Sequence, residues 1–274
     1  MLTMLIAKGV ETDQVEHFYN APYSYREDET FYKELLETKT REEFKLPEAN
    51  PFIPKKASVP KRKLDDGIVP IQIEGNKGEN LYFGQDHEFL RPKGTISLKI
   101  LFPESIMSPE HRTFSRVYVA CVNESLNELS YPAKLAGLNY SIRESYEGIY
   151  VDISGYKESS LKLYELMLEH MTDFKITKTQ FDAVKDKIVR DYENLALADA
   201  YMQTRELAPD LFYNIKYTWK QILPIAKNAT FDEIKSYESN LFNNTYLEAM
   251  VYGDYMKQDA KKVLSIFKAK TKTK

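Results

Sequence analysis

The sequence predicts an α+β protein in which an antiparallel sheet is covered by helices on one face. Residues 95–102 alternate apolar and polar side chains, as a half-buried strand does. After Ser108 and Pro109, a helix N-cap followed by proline at the first helical position, apolar residues recur at helical spacing over 114–129. Alternation then returns over 140–142 and 149–153. A strand, a long helix and a returning hairpin in this order are typical of helices layered on one sheet.

The elements outside this central unit follow from shorter patterns. Met1–Ala7 is an apolar run that indicates a strand, and with no partner strand nearby it suggests that the chain begins inside a larger architecture. A charged helix is predicted over 29–43, followed by a passage punctuated by prolines that favours extended chain. Further strands are predicted at 68–73, 80–83 and 246–251, and further helices at 161–171, 178–195, 201–213, 230–241 and 257–268.

Charge and composition exclude some classes of partner. The formal net charge of -3 argues against nucleic acid, because phosphate binding needs a cationic surface. The basic clusters at 55–63 and 268–274 are interpreted as a solvated linker and a terminal tail. The opening apolar run is too short to span a membrane and lacks the features of a signal peptide, so we expect no membrane partner and a cytoplasmic location by default. The single cysteine, Cys121, falls on the apolar helical stripe and is predicted to be a small core residue.

The histidines form no recognised metal motif. They are His17, His87, His111 and His170. His87-Glu88 begins an HExxH pattern, but Arg91 stands where the second histidine would be. The inverted HxxEH pattern also fails, since Arg112, Thr113, Phe114 and Ser115 follow His111. We therefore predict no catalytic, cofactor-binding or metal-binding residue, and we interpret all four histidines as surface or capping residues.

Several strings occur in the order and spacing of one known family. They are Phe44-Lys45-Leu46-Pro47 with Asn50 and Phe52-Ile53-Pro54; Leu81-Tyr82-Phe83-Gly84-Gln85-Asp86 with Phe89, Pro92 and Lys93; Leu135-Ala136-Gly137-Leu138-Asn139-Tyr140; and Gly148 with Gly155-Tyr156. Together they resemble the insulysin/pitrilysin branch of the M16 (inverzincin) metallopeptidases. The resemblance assigns 1–9 to the last strand of a preceding M16 domain, 10–66 to a linker with a short helix, 67–270 to a third-type, non-catalytic M16 domain, and 271–274 to a tail.

The resemblance implies a fold, and it implies that only some of the family's domains are catalytic. Members of the branch have four related domains of the M16/LuxS-like metallohydrolase fold, in two halves that close around peptides. The first domain carries HxxEH and a downstream glutamate that bind zinc, and the third repeats the fold without that site. In this sequence the helix from Pro109 lies where HxxEH would be. Zinc is therefore expected in a partner catalytic domain and not in this chain.

Two functions are compatible with these observations. In the first, the chain is a non-catalytic segment or split subunit of an insulysin/pitrilysin-like zinc endopeptidase and helps form the peptide-enclosing chamber. Its partners would be an HxxEH-bearing catalytic half, on the same or a separate chain, and peptide substrates, and the chain alone would be inactive. In the second, it is an independent binding or scaffolding module that reuses the M16 fold without a peptidase partner.

Overall fold

A computed structural model describes residues 4–27, 29–37, 48–59, 64, 67–213 and 216–272. The chain divides into two compact units, Met1–Ala49 and Asn50–Lys274. Three features predicted from the sequence lie outside the described residues: the second half of the charged helix (38–43), the string 44–47 and the basic residues 61–63.

In the first unit, the described residues form a two-stranded antiparallel hairpin, β1 (Gln14–Val15) and β2 (Pro22–Tyr23), and a helix, α1 (Glu29–Glu37). The described part of the predicted opening strand, residues 4–7, forms no strand. A strand that belongs to a preceding domain would need that domain's sheet, so the assignment of 1–9 stays a prediction.

The second unit is a six-stranded sheet with helices on one face. The strands are β3 (Ile71–Gly75), β4 (Glu79–Gln85), β5 (Lys93–Leu101), β6 (Asn139–Glu144), β7 (Gly148–Tyr156) and β8 (Tyr246–Gly253). The helices are α2 (Pro109–Ser125), α3 (Asn127–Leu135), α4 (Lys157–Thr172), α5 (Lys178–Leu197), α6 (Ala200–Leu207), α7 (Trp219–Asn228), α8 (Phe231–Leu241) and α9 (Lys257–Thr271). Among these helices, none combines the length and apolar composition that crossing a bilayer requires.

The sheet confirms the predicted fold class and adds one pairing that the sequence did not indicate. The strand order is β3-β4-β8-β5-β7-β6. Four of the pairings are antiparallel, whereas β4 and β8 run parallel, with Leu81 opposite Ala249. The last strand returns after the long helical passage and inserts between β4 and β5, which are close in sequence.

The core lies between one face of the sheet and the helices α2, α4 and α9. Alternation places Ile96, Leu98 and Ile100 of β5 on this inner face, and each is at most 1% exposed. The intervening residues Ser97 and Lys99 lie on the opposite face, where side chains are half-buried or exposed. We call this opposite side of the sheet the open face.

The predicted long helix is interrupted. Ser108 accepts a hydrogen bond from the His111 N–H and Pro109 occupies the first turn, as the sequence predicted. The helix ends at Leu126, and α3 begins immediately afterwards and contains Pro132 within its length. The predicted helix over 201–213 is shorter, because α6 gives way to a 3-10 turn at Ala208–Leu211.

Cys121 is a core residue, as the sequence predicted. It is 1% exposed and lies on the buried stripe of α2. Burial, with a smaller contribution from Glu124, raises the pKa of its thiol to about 12. The thiol therefore stays protonated and unreactive at neutral pH.

The segment that follows Ala49 is attached to the domain by specific contacts. The Phe52 side chain is 1% exposed and belongs to the core. The Asn50 side-chain amide donates to the Pro132 carbonyl (2.8 Å), and the Ser159 hydroxyl donates to the Phe52 carbonyl (2.6 Å). The sequence interpretation placed this segment in a linker that ends at residue 66. The compact unit that contains the sheet begins at Asn50, and the assignment of 10–66 to a linker stays a prediction.

We expect replacement of Phe52 by alanine to lower the free energy of unfolding by about 3–5 kcal/mol, because a buried aromatic ring is lost and a cavity remains. Urea denaturation of the purified chain measures this. Ile53→Ala is the matched control, since Ile53 is 59% exposed and its truncation should change stability by about 0.5 kcal/mol or less. An equal decrease in the free energy of unfolding for the two variants would contradict the assignment of Phe52 to the core.

Candidate functional site

The first turns of α2 occupy the place that the resemblance assigns to HxxEH. The N-cap at Ser108 fixes where the helix starts, and therefore which side chains point towards β6 and α8. The residues at this place are His111, Arg112, Thr113, Phe114 and Ser115. Thr113 is turned back to its own helix, where its hydroxyl donates to the Pro109 carbonyl at 2.7 Å.

His111 packs among aromatic rings. Its ring lies edge-on to Phe102 (centroids 4.6 Å apart) and to Tyr237 of α8 (5.2 Å). The Nε2 atom lies 3.4 Å from the Tyr237 hydroxyl. Burial and then the neighbouring Arg112 charge lower the pKa of His111, so the neutral ring is favoured. The interpretation of this histidine as a surface or capping residue did not anticipate these contacts, because the aromatic residues are distant in sequence; the side chain is half-buried and its backbone N–H donates to the Ser108 cap.

Arg112 and Arg116 share one carboxylate. The Arg112 guanidinium forms an ion pair with Glu144 at the end of β6, and it also donates to the Ser145 carbonyl. Arg116 lies one helical turn later, with its Nη1 atom 3.6 Å from Glu144 Oε1. The Glu144 side chain is 14% exposed. Burial raises the pKa of Glu144, and the two guanidinium groups oppose that rise without cancelling it.

Tyrosine rings complete this group. Arg112 lies 4.6 Å from the ring centroid of Tyr146, and Arg116 lies 4.7 Å from that of Tyr192 on α5. Such contacts stabilise a guanidinium that is partly removed from water. We call Arg112, Arg116, Glu144, Tyr146 and Tyr192 the arginine–glutamate cluster. The cluster joins the start of the long helix α2 to β6 and α5.

These residues do not fit a zinc ion. Zinc in proteins takes neutral imidazole, thiolate or carboxylate ligands. Here two guanidinium groups occupy the position, the one carboxylate is paired with both of them, and the Nε2 atom of His111 faces a tyrosine hydroxyl. In the described part of the chain, no group of three His, Cys, Asp or Glu residues is arranged to hold a metal.

The other histidines lie apart from this place. The Nδ1 atom of His170 is 2.9 Å from the Ser125 hydroxyl oxygen, His17 is in the first unit, and His87 lies in the β4–β5 loop. Sequence reasoning did not find the arginine–glutamate cluster. The sequence signal that could have indicated it is the pair Arg112 and Arg116, one helical turn apart on α2. Their carboxylate partner, Glu144, follows some thirty residues later.

We expect Arg112→Met to lower the free energy of unfolding by about 3–5 kcal/mol at pH 8, because it leaves a buried carboxylate with one distant cation. The folded-state pKa of Glu144 already lies above its ordinary value, so its protonated form stabilises the fold at low pH and this stabilisation is lost as pH rises. Without Arg112 the pKa rises further. The cost of the substitution should therefore be smaller at pH 5 than at pH 8, as urea denaturation at both values would measure.

Arg143→Met is the matched control, one residue before Glu144 on β6. Arg143 lies 3.0 Å from Asp152 in an exposed ion pair, with side-chain exposures of 53% and 39%. Its loss should cost about 1 kcal/mol or less at either pH. An Arg112→Met cost that is equally small, or that does not change with pH, would contradict the buried ion pair.

Comparison with known proteins identifies close relatives of the whole chain. The "Putative zinc protease mug138" of Schizosaccharomyces pombe is 28% identical over 261 residues, which cover 94% of this chain and 27% of that protein. Human "Insulin-degrading enzyme" is 25% identical over 260 residues, covering 93% of this chain and 25% of that protein. The chain thus spans about a quarter of the length of these relatives.

Solved structures share the fold. Pitrilysin superimposes with a TM-score of 0.75 at 20% identity, over 96% of this chain and 28% of that chain. A peptidase M16 inactive domain from Pseudomonas fluorescens superimposes with a TM-score of 0.55 at 11% identity, over 74% of this chain and 50% of that one. The resemblance to the insulysin/pitrilysin branch is confirmed. A family model described as "Middle or third domain of peptidase M16" matches residues 1–224, well over half of the sequence, and the chain belongs to that family.

Proposed function

We propose that this chain is a non-catalytic segment or split subunit of an insulysin/pitrilysin-like zinc endopeptidase and helps form the chamber that encloses peptide substrates. In this proposal residues 67–270 are the third-type domain, and 10–66 link it to a preceding domain whose last strand is 1–9. The observation that carries the proposal is the arginine–glutamate cluster at the start of α2. It occupies the position of the family's metal motif with side chains that repel a divalent cation.

The chemistry of peptide hydrolysis then belongs to a partner. Zinc-dependent hydrolysis needs a metal-activated water and a carboxylate base held beside it. The partner is an HxxEH-bearing catalytic half, on the same polypeptide or a separate one. The relatives named zinc protease and insulin-degrading enzyme, of which this chain matches about a quarter, support both the zinc and the peptide substrate.

The open face of the sheet suits the wall of such a chamber. The helices α2, α4 and α9 cover the inner face and leave the open face with polar and aromatic side chains. Two of its cations are paired, with Lys99 Nζ 3.7 Å from Glu248 and Arg143 3.0 Å from Asp152. A polar face of this kind can border peptides of varied sequence.

The proposal predicts that the purified chain neither retains stoichiometric zinc nor cleaves a quenched fluorescent peptide. Metal analysis after gel filtration and a cleavage assay measure these two properties. When the HxxEH-bearing half is added, the two should co-elute and peptide turnover should rise above that of the catalytic half alone. The matched control is a catalytic half in which the motif glutamate is replaced by glutamine, which should bind this chain without turnover.

Two outcomes would count against the proposal. Stoichiometric zinc in this chain, with cleavage abolished by a chelator, would make it catalytic. A catalytic half whose turnover and elution are unchanged by this chain would favour the alternative, an independent binding or scaffolding module.

A further inference from the structure

A cleft lies at one end of the open face, where the β4–β5 loop borders the sheet. Four side chains stand in register across it: Tyr252 of β8, Thr95 of β5, Ser154 of β7 and Asn139 of β6. The cleft encloses about 430 Å³. That volume falls within the range of pockets that bind small ligands or short peptide segments.

Glycines in adjacent strands let the main chain line this cleft. Gly94 of β5 is paired with Gly155 of β7 on one side and with Gly253 of β8 on the other, and all three border the cleft. Gly253 has a φ of 109°, which favours glycine, and a Cβ there would lie 2.6 Å from the Gly94 Cα. The close approach of these strand ends therefore depends on glycine. Because the glycines carry no side chain, main-chain atoms of the sheet border the cleft at these positions.

Three hydrogen-bonding groups line the cleft, and none of them forms a hydrogen bond with another described residue: the hydroxyl groups of Thr95 and Ser154 and the side-chain amide of Asn139. Each is half-buried or exposed and can donate or accept. These donors and acceptors stand side by side on the three strands β5, β7 and β6, where they can pair with the N–H and C=O groups of an extended peptide.

Hydrogen bonds to one carboxylate shape the loop wall of the cleft. Asp86 Oδ1 accepts hydrogen bonds from the N–H groups of Glu88 and Phe89, both at 3.0 Å. Leu90 has a φ of 47°, an uncommon conformation for a side chain of its size. The Phe89 ring is 66% exposed, and it stands beside the cleft with Arg91 5.8 Å from its centroid.

Two cations, Arg91 and Lys93, line the cleft. In the described part of the chain, neither Arg91 nor Lys93 forms an ion pair, although Lys93 lies 5.0 Å from the ring centroid of Tyr156. Two carboxylates also line the cleft: Asp86, which accepts hydrogen bonds from the loop N–H groups, and Glu88. By contrast, Lys99 and Arg143 elsewhere on the open face are already paired. A ligand carboxylate could form ion pairs with Arg91 and Lys93.

We propose that this cleft binds an extended, acidic segment of a peptide, with its carboxylate at Arg91 and Lys93 and its main chain along Thr95, Ser154 and Asn139. The inference rests on the proposed function and adds a substrate class to it: the chamber wall holds acidic peptide segments at a distance from the catalytic half. An apolar side chain next to the acidic residue would contact Phe89.

The test uses the full chain and a fluorescein-labelled peptide of about ten residues with two glutamates flanking a phenylalanine, compared with a peptide that has lysines at those positions. Fluorescence anisotropy measures binding. We expect the double variant Arg91→Ala/Lys93→Ala to weaken binding of the acidic peptide by about 10-fold or more, because two charge-assisted contacts are lost. Binding to the wild-type chain should also weaken as salt is raised.

The matched control is Lys99→Ala/Arg143→Ala, which removes two paired cations from the same face and should change the affinity by about 2-fold or less. Equal affinity of the Arg91→Ala/Lys93→Ala variant and the wild-type chain would overturn the inference. So would equal binding of the lysine peptide, or displacement by inorganic phosphate at low concentration, which would indicate a general anion site. If binding fails while the chain still activates the catalytic half, the inference fails and the proposed function stands.

Discussion

Burial of the Glu144 carboxylate between two guanidinium groups constrains the whole start of α2. A carboxylate at this depth costs several kcal/mol unless cations and hydrogen bonds compensate for its lost hydration. Arg112 and Arg116 supply the charge, and they can do so because one helical turn separates them. Their own excess charge is met by the faces of Tyr146 and Tyr192. The helix, the edge strand β6 and the outer helix α5 therefore hold one another in place through electrostatics as well as through packing.

This constraint also accounts for what the position cannot do. A metal centre needs neutral or anionic ligands that converge on one point, whereas the cluster presents a net positive charge around a single carboxylate. The same fold can therefore keep the helix and sheet of a metallopeptidase domain while it uses the equivalent surface for stability. Function in this family depends on the side chains carried by the fold and not on the fold itself.

The sequence predicted local structure well where a short pattern decides it. The alternation around Ile96, Leu98 and Ile100 and the cap at Ser108 were sufficient to place β5 and α2. Features that depend on distant residues were not predicted. The parallel pairing of β4 with β8 joins residues more than 160 positions apart, and the Glu144 ion pairs join two separate elements. The helix α7 was missed although Thr218 and Gln221 form a capping box, because Pro224 within it suggests a loop.

The burial of Cys121 has a practical consequence. It is the single cysteine among the 274 residues, and its thiol is both inaccessible and fully protonated near neutrality. Alkylating reagents should therefore spare the native chain. A second cysteine introduced on an exposed strand or loop would react alone, so a spin label could be placed at one chosen site of this chain without removing the natural residue from the core.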